Sequence, residues 1–291
     1  MMAIRQAGLD DLDAIIALMK NGHNPTLSEI HSSHLAEKLS DERSTHFVAV
    51  DDKSIVGYAK IKKYAKHRAH FGSLVVHDKH REKGIATALT RARIAYLQED
   101  GFEGIVSSDA LTYHYYSQRQ LSANGFSPTH VLIGDIVDHG IGPETTIGFT
   151  RLLLGTEPQR PALYLPPEYH TIAAHVLAPF GNFALAETAH TVISERTQRF
   201  VQSEQYRKPN RTFEINLFEE TAPAEIALLK KDGFTFAGFY PIPYEGNLLV
   251  MANMHRIKQD TFNKKKMCII PAAQPIFDLV WNEYVSAETV K

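Results

Sequence analysis

The residues best suited to chemistry lie in one stretch, LVVHDKHREKGIATALTRARI, from Leu74 to Ile94. The apolar run Leu74-Val75-Val76 has the character of a strand. A polar loop follows, carrying Arg81, Glu82, Lys83 and Gly84, and it opens directly into a helix through Ile85, Ala86 and Thr87. The first N–H groups of a helix have no intrahelical acceptor, and the helix dipole adds partial positive charge there. Such an end is a cradle for a diphosphate. Gly84 lets the backbone approach a ligand closely, and Ala86 keeps the next turn uncrowded. The G-x-G-x-x-G and G-x-x-x-x-G-K-[S/T] spacings are absent from this stretch, which argues against a dinucleotide or P-loop site.

A second group of reactive side chains follows. Asp109 stands just past an expected strand end, and Thr112-Tyr113-His114-Tyr115-Tyr116-Ser117-Gln118 comes after it. Carboxylate and imidazole accept protons, and a phenol can donate one. The plainer alternatives are a solvated loop acid, a satisfied structural histidine, and tyrosines packed at a sheet end. His31 with His34, and His77 with His80, have the spacing of ligand pairs, but no convergent carboxylate or cysteine completes a metal site. Cys268 reads as a buried structural cysteine, and Lys264 to Lys266 as a solvated turn.

These side chains must be held by an ordered frame. Gly8 to Lys20 and Leu27 to Leu39 carry helical periodicity, the latter with Thr26 and Glu29 placed as a capping box. His46–Val50 and Ile55–Ile61 read as a hairpin around Asp51-Asp52-Lys53, and Phe71–His77 as a third strand. Ile85–Gln98 is a helix ended by Gly101, and Gly104–Ser108 a strand. Ser117–Ala123 is a short helix closed by Asn124-Gly125, and Val131–Val137 and Thr146–Leu154 are strands. The order gives a mixed α/β domain. EPQRP, from Glu157 to Pro161, is the expected linker. Beyond it, Tyr169–Leu177, Ala222–Lys231 and Ile276–Val285 read as helices. Thr191–Gln202, Thr212–Leu217, Phe234–Tyr240 and Asn247–Met254 read as strands.

Bulk properties agree. A chain of 291 residues suggests two domains, at roughly 100–200 residues each. With 44% hydrophobic and 22% charged residues, either half can bury a core. The net charge of −2 and the absence of a long Lys/Arg-dense run give no support to nucleic-acid or membrane binding. No apolar run approaches the ~20 residues of a membrane span, and the amino terminus lacks the form of a signal peptide. A single cysteine fits a reducing cytoplasm.

Arg81-Glu82-Lys83-Gly84-Ile85-Ala86 resembles the [Gln/Arg]-x-x-Gly-x-[Gly/Ala] acyl-CoA signature of the GNAT N-acetyltransferase superfamily. The strand before it, the helix after it, and the order of elements from Ile4 to Leu154 are similar too. Thr112 to Gln118 with Gly125-Phe126 resembles a T-x-H-x-Y-S-Q pattern of GNAT proteins fused to anti-sigma-factor-type kinase domains. Lys230 to Asn253 resembles the closing part of a GNAT domain but lacks the signature.

The resemblance implies a GNAT-like domain at 1–156 and a smaller α/β domain at 157–291, which could be a degenerate second GNAT-like unit. It implies acetyl-CoA or another acyl-CoA as co-substrate, held by Leu74, Val75, Val76, Arg81, Glu82, Lys83, Gly84, Ile85, Ala86 and Thr87. A backbone N–H near Val76 would receive the oxyanion. It implies transfer to an amine of a small molecule or protein, with Tyr116, His114 and Asp109 as catalytic candidates and no metal. The family's usual proton-donating tyrosine falls on Leu121, which cannot donate. That departure keeps a second expectation, a non-catalytic acyl-CoA sensor. His23, His31 and His34 lie where the family's helices border the acceptor. A homodimer is left open.

Overall fold

In the computed structural model, the described residues are 2–21, 37, 39–136, 144–153, 162–181, 183–186, 191–203, 212–242, 246–253, 262 and 264–288. The expected helix at Leu27–Leu39 falls largely outside them, as do the linker at 157–161 and His23, His31 and His34. The strands are β1 (Ala3–Gln6), β2 (Ser44–Asp51), β3 (Ser54–Ala65), β4 (Arg68–Val76), β5 (Gly104–Leu111), β6 (Ser127–Ile136), β7 (Glu144–Leu153), β8 (Leu163–Tyr164), β9 (Leu185–Ala186), β10 (Thr212–Asn216), β11 (Phe234–Ile242) and β12 (Gly246–Asn253). The helices are α1 (Leu12–Asn21), α2 (Ile85–Glu99), α3 (Tyr116–Ala123), α4 (His170–Leu177), α5 (Glu195–Gln202), α6 (Ala222–Lys231) and α7 (Gln274–Glu288).

Ten strands form one mixed sheet, in the order β1-β2-β3-β4-β5-β7-β6-β11-β12-β10. Its two faces bury different helices. Phe47, Ala49, Ala59 and Ile61 pack with Ile85 and Leu89 of α2. Val48, Tyr58 and Val75 pack with Ile15, Leu18 and Met19 of α1. Alternate strand residues point to opposite faces, so the hairpin β2–β3 serves both helices at once. Gly57 is required at the α2 contact, because a Cβ there would lie 2.9 Å from Ile85 Cγ2.

The second half continues the sheet rather than standing apart from it. β5-α3-β6-β7 is arranged 5-7-6 in the sheet, and β10-α6-β11-β12 is arranged 10-12-11. Each helix ends at a left-handed glycine followed by a buried phenylalanine: Gly125-Phe126 after α3, Gly233-Phe234 after α6. The two units meet antiparallel where His130 of β6 pairs with Gly238 of β11, both four residues past those phenylalanines.

One strand expectation is overturned. Thr191–Gln202 does not form a strand; its second half is α5. Ser194 caps that helix by accepting from the Thr197 N–H, and Arg199 pairs with Glu195 one turn earlier. The buried carboxylate of Glu225 accepts from Ser194 N–H and from the Thr197 hydroxyl. Capping and this tertiary anchor outweigh the β-branched and aromatic residues in the segment. Among the described residues no helix is long and apolar enough to cross a membrane.

The T-x-H-x-Y-S-Q segment has a structural task. Buried Gln118 accepts from Ile270 N–H and donates to Cys268 O, while Thr112 O accepts from Cys268 N–H. The motif thus straps the segment before α7 onto β5 and α3, and holds Cys268 half-buried rather than buried. Gln118→Ala would leave two buried backbone groups unpaired, at about 1–3 kcal/mol each. The expected loss of about 2–6 kcal/mol is measurable by urea unfolding.

Candidate active site

β4 and β5 run parallel through three registered pairs, Arg68↔Ile105, Ala69↔Val106 and His70↔Ser107. Beyond His70 and Ser107 no further pair joins them, although β4 continues to Val76 and β5 to Leu111. The strands part here, and the Ser108 hydroxyl, donating to Phe71 O, marks the apex. On its other side β4 pairs with β3 through a bulge: Lys60 opposes Gly72 and Tyr58 opposes Val75, with Ser73 left-handed at φ 52°. His77 N–H bonds to Val56 O on β3. Successive N–H groups of a strand point to opposite edges, so Val76 N–H is aimed into the gap.

The mouth of the gap is the loop that the sequence singled out. Glu82 and Gly84 are left-handed, and Gly84 is the N-cap of α2. No acidic residue occupies the first turn of this helix and no side chain caps it, so its dipole is uncompensated at that end. A Cβ on Gly84 would meet nothing within 4 Å, so open space lies in front of those N–H groups. Arg81 and Lys83 are exposed beside it, Arg81 paired with Asp78 at 2.7 Å. Ile85 is buried in the core and anchors the turn, while Ala86 and Thr87 are half-buried. Leu74, Val75 and Val76 are half-buried along the β4 edge. This run of backbone offers uncapped N–H groups at the start of α2 and an unpaired edge of β4 beyond His70.

The catalytic candidates fall into two groups. His114 and Tyr116 stand together at the start of α3, ring centroids 5.3 Å apart, with Tyr113 4.2 Å from His114. Tyr116 is 69% exposed. Burial raises the Tyr113 pKa, with Glu144 adding to the rise and Arg81 opposing it. Leu121 is buried in the core.

Asp109 belongs to a different group. Its carboxylate faces His70 Nε2 at 3.9 Å and His130 Nε2 at 3.6 Å. Tyr240 Oη lies 3.3 Å from His130 Nε2, with the rings 4.6 Å apart. Register explains the grouping. Ser107 neighbours His70, Asp109 opposes Gly148, Gly148 opposes His130, and His130 opposes Gly238, two residues before Tyr240. Lys62 opposes His70 and Tyr58 opposes Val75, so this row lies on the face that α1 covers. The two glycines make room for the imidazole. A Cβ on Gly148 would fall 1.8 Å from His130 Cε1, and one on Gly238 2.3 Å from its Cα. His70, His130 and Tyr240 are not evident as site residues in the sequence; the glycines amid strands β7 and β11 are the signal that could have found them.

Partial burial pushes the Asp109 pKa up, but the close approach of His130 and the charges of His130 and His70 outweigh this and hold it below the ordinary carboxylate range. Burial pulls the His70 pKa down; Asp109 resists, while Lys60, Arg93 and His130 reinforce the fall. The unfolded chain therefore binds a proton near its ordinary pKa of about 6.5 that folded His70 refuses. Stability from this source is lost as pH falls through that value. The wild-type melting temperature should drop more steeply below about pH 6.5 than that of His70→Gln, as thermal scans at stepped pH would show. Among the described residues, no group of three or more His, Cys, Asp or Glu is placed to hold a metal ion.

Residues 12–121 match the Acetyltransferase (GNAT) family. A curated relative, an N-alpha-acetyltransferase of Saccharolobus solfataricus, is 31% identical over 109 residues. That match covers 33% of this chain and 63% of the relative, so the chain spans less than two thirds of that protein's length. Similar solved structures include a probable acetyltransferase from Staphylococcus epidermidis, with TM-score 0.48, 19% identity, and 53% of this chain and 100% of that one covered. Another is the ribosomal-protein-S18-alanine N-acetyltransferase from Escherichia coli, with TM-score 0.47, 16% identity, and 54% and 97% covered.

Proposed function

We propose that the chain is an acetyl-CoA-dependent N-acetyltransferase acting on an amine of a small molecule or protein. The observation that carries this reading is the parting of β4 from β5 beside the Gly84-capped end of α2. Arg81 to Thr87 would hold the diphosphate through backbone N–H groups and the helix dipole. The β4 edge from Leu74 to Val76 would hold the acyl arm as an added strand would be held. Acetyl-CoA supplies a thioester carbonyl open to attack by an amine.

The chain's own residues then have defined tasks. A backbone N–H of the exposed β4 edge receives the developing oxyanion, worth about 3–4 kcal/mol. An alkyl amine is protonated near neutral pH, its pKa being about 10, so a base must act. Asp109 draws that proton, directly or through a neighbour. Tyr116 replaces the missing phenol at Leu121 as donor to the leaving thiolate, and His114 lines the thioester beside it. The 1–156 portion forms the acyl-CoA-binding domain. The 157–291 portion forms a degenerate GNAT-like domain, which the matching β5-α3-β6-β7 and β10-α6-β11-β12 arrangements support. The single cysteine fits work in the cytoplasm.

The test is release of free thiol from acetyl-CoA on adding primary amines. Amine-dependent thiol release supports the enzyme. Tight acetyl-CoA binding without release from any amine would instead favour the sensor, which the burial of Leu121 at the usual acid position already suggests.

A further inference from the structure

The row His70, Asp109, His130 and Tyr240 crosses five strands of one sheet face, and its last member comes from the second half of the chain. Each member has a fixed partner. Ser107 Oγ lies 3.1 Å from His70 Nδ1 and can donate its own hydrogen bond to Ala69 O. It then accepts from Nδ1–H, which leaves Nε2 of His70 as the basic nitrogen, turned toward Asp109. Thr129 Oγ1 lies 3.2 Å from His130 Nδ1, 2.9 Å from Thr150 Oγ1 and 3.4 Å from Gly148 O; when its one proton goes to Nδ1, the His130 proton sits on Nε2, toward Asp109 and Tyr240. His130 is 1% exposed and Asp109 43% exposed. The buried imidazole therefore serves the carboxylate, and the carboxylate meets whatever enters.

We propose that this row is the amine-receiving half of the active site: Asp109 holds a cationic primary amine, His70 removes its proton, and the second half of the chain completes the site by fixing His130 through Tyr240. The inference rests on the acetyl-transfer reading above and deepens it. The 3.9 Å between His70 Nε2 and Asp109 Oδ2 is too long for a direct hydrogen bond. An ammonium N–H donor placed between two acceptors answers both. Asp109 alone is a weak base because its neighbours hold it ionised. His70 is neutral near pH 7, and a neutral imidazole is the better-matched proton acceptor. The charged groups that reach the row are Lys60 and Arg93 on His70, and Arg68 over the Tyr240 ring, itself paired with Glu214.

The step balances as follows. One ammonium proton passes to His70 Nε2 and on to solvent. The freed nitrogen lone pair forms a bond to the acetyl carbon, and the carbon–sulfur bond breaks. The second nitrogen proton ends on the departing thiol. His70 stands at the apex of the parted strands, on the same strand whose edge carries the oxyanion donor. His130 and Tyr240 touch no reacting atom and are positioning residues.

The test compares cationic n-propylamine and 1,4-diaminobutane with hydroxylamine, which is uncharged at neutral pH, as acceptors for acetyl-CoA. His70→Gln is expected to lower kcat/KM for the cationic amines by about 10²–10⁴-fold and to change hydroxylamine turnover far less. Asp109→Asn is expected to raise KM for the cationic amines alone. Tyr240→Phe, which removes only a hydroxyl, is expected to move the acidic limb of the pH–rate profile while acetyl-CoA affinity stays unchanged. A Tyr240 that is merely structural leaves that limb in place. Equal losses for both kinds of acceptor, or an unmoved profile, overturn the inference. So does a wild type that binds acetyl-CoA yet acetylates neither cationic amine. A wild type that does not bind acetyl-CoA removes the underlying reading instead.

Discussion

Gly84→Asp is expected to lower acetyl-CoA affinity by at least about tenfold while leaving the fold intact. The glycine is left-handed at φ 76° and caps α2, and no atom lies within 4 Å of the place a Cβ would take. A new carboxylate would therefore enter the space in front of the α2 N–H groups. Two like charges about 4 Å apart repel by about 4 kcal/mol at the effective dielectric of a protein surface. Even half of that, with the charge partly turned away, is more than a tenfold loss, since about 1.4 kcal/mol is a factor of ten. Gly84→Asn is the matched control. Asparagine tolerates the left-handed region and carries no charge, so it should retain most of the binding. Equal losses in both variants would mean that backbone strain, not charge, decides affinity here. Calorimetric titration of acetyl-CoA into the two variants separates these outcomes.

Gly238→Ala is expected to cost about 3–5 kcal/mol of stability, an unusually large effect for the addition of one methyl group. Gly238 has φ 138°, which an L-residue adopts only under strain of about 1–3 kcal/mol. Its Cβ would lie 2.3 Å from His130 Cα and 2.4 Å from Thr129 O. These are atoms of a backbone held in the middle of the sheet, and they cannot swing aside as a flexible side-chain end can. Overpacking of this kind adds about 1–3 kcal/mol. The damage falls on the His130↔Gly238 pair that joins β6 to β11. The variant should therefore lose the contact of Tyr240 with His130, and melt roughly 10 °C lower. Gly101→Ala offers a contrast. It is also left-handed, at φ 68°, but its Cβ would meet nothing within 4 Å. Only about 1 kcal/mol is expected there. Similar melting temperatures for the two variants would contradict the close approach at the joint.

The strand–loop–helix from Leu74 to Glu99 was legible because each signal is local: an apolar run, a glycine at the turn, and helical spacing after it. β1 was not read, since Ala3–Gln6 offers only Ile4 and Ala3 as apolar residues and is a strand because β2 pairs with it. α5 was misread because its cap is completed by Glu225, some thirty residues away in sequence. Asp109 was read as a reactive carboxylate, but its partners could not be. His70, His130 and Tyr240 converge through cross-strand register, which no spacing along the chain reveals. The same holds for Gln118. Its side chain clamps Ile270 and Cys268, residues with no local mark of that role.

The central claim is that the gap between β4 and β5, opening at Gly84, receives an acyl-CoA. The most direct measurement is calorimetric titration of acetyl-CoA into the wild-type chain, repeated with desulfo-CoA and with adenosine alone. Saturable one-to-one binding of acetyl-CoA, kept by desulfo-CoA and lost with adenosine, is the expected result, because the diphosphate and the extended arm make the contacts. No heat of binding from acetyl-CoA, or binding of adenosine as tight as that of acetyl-CoA, would contradict it.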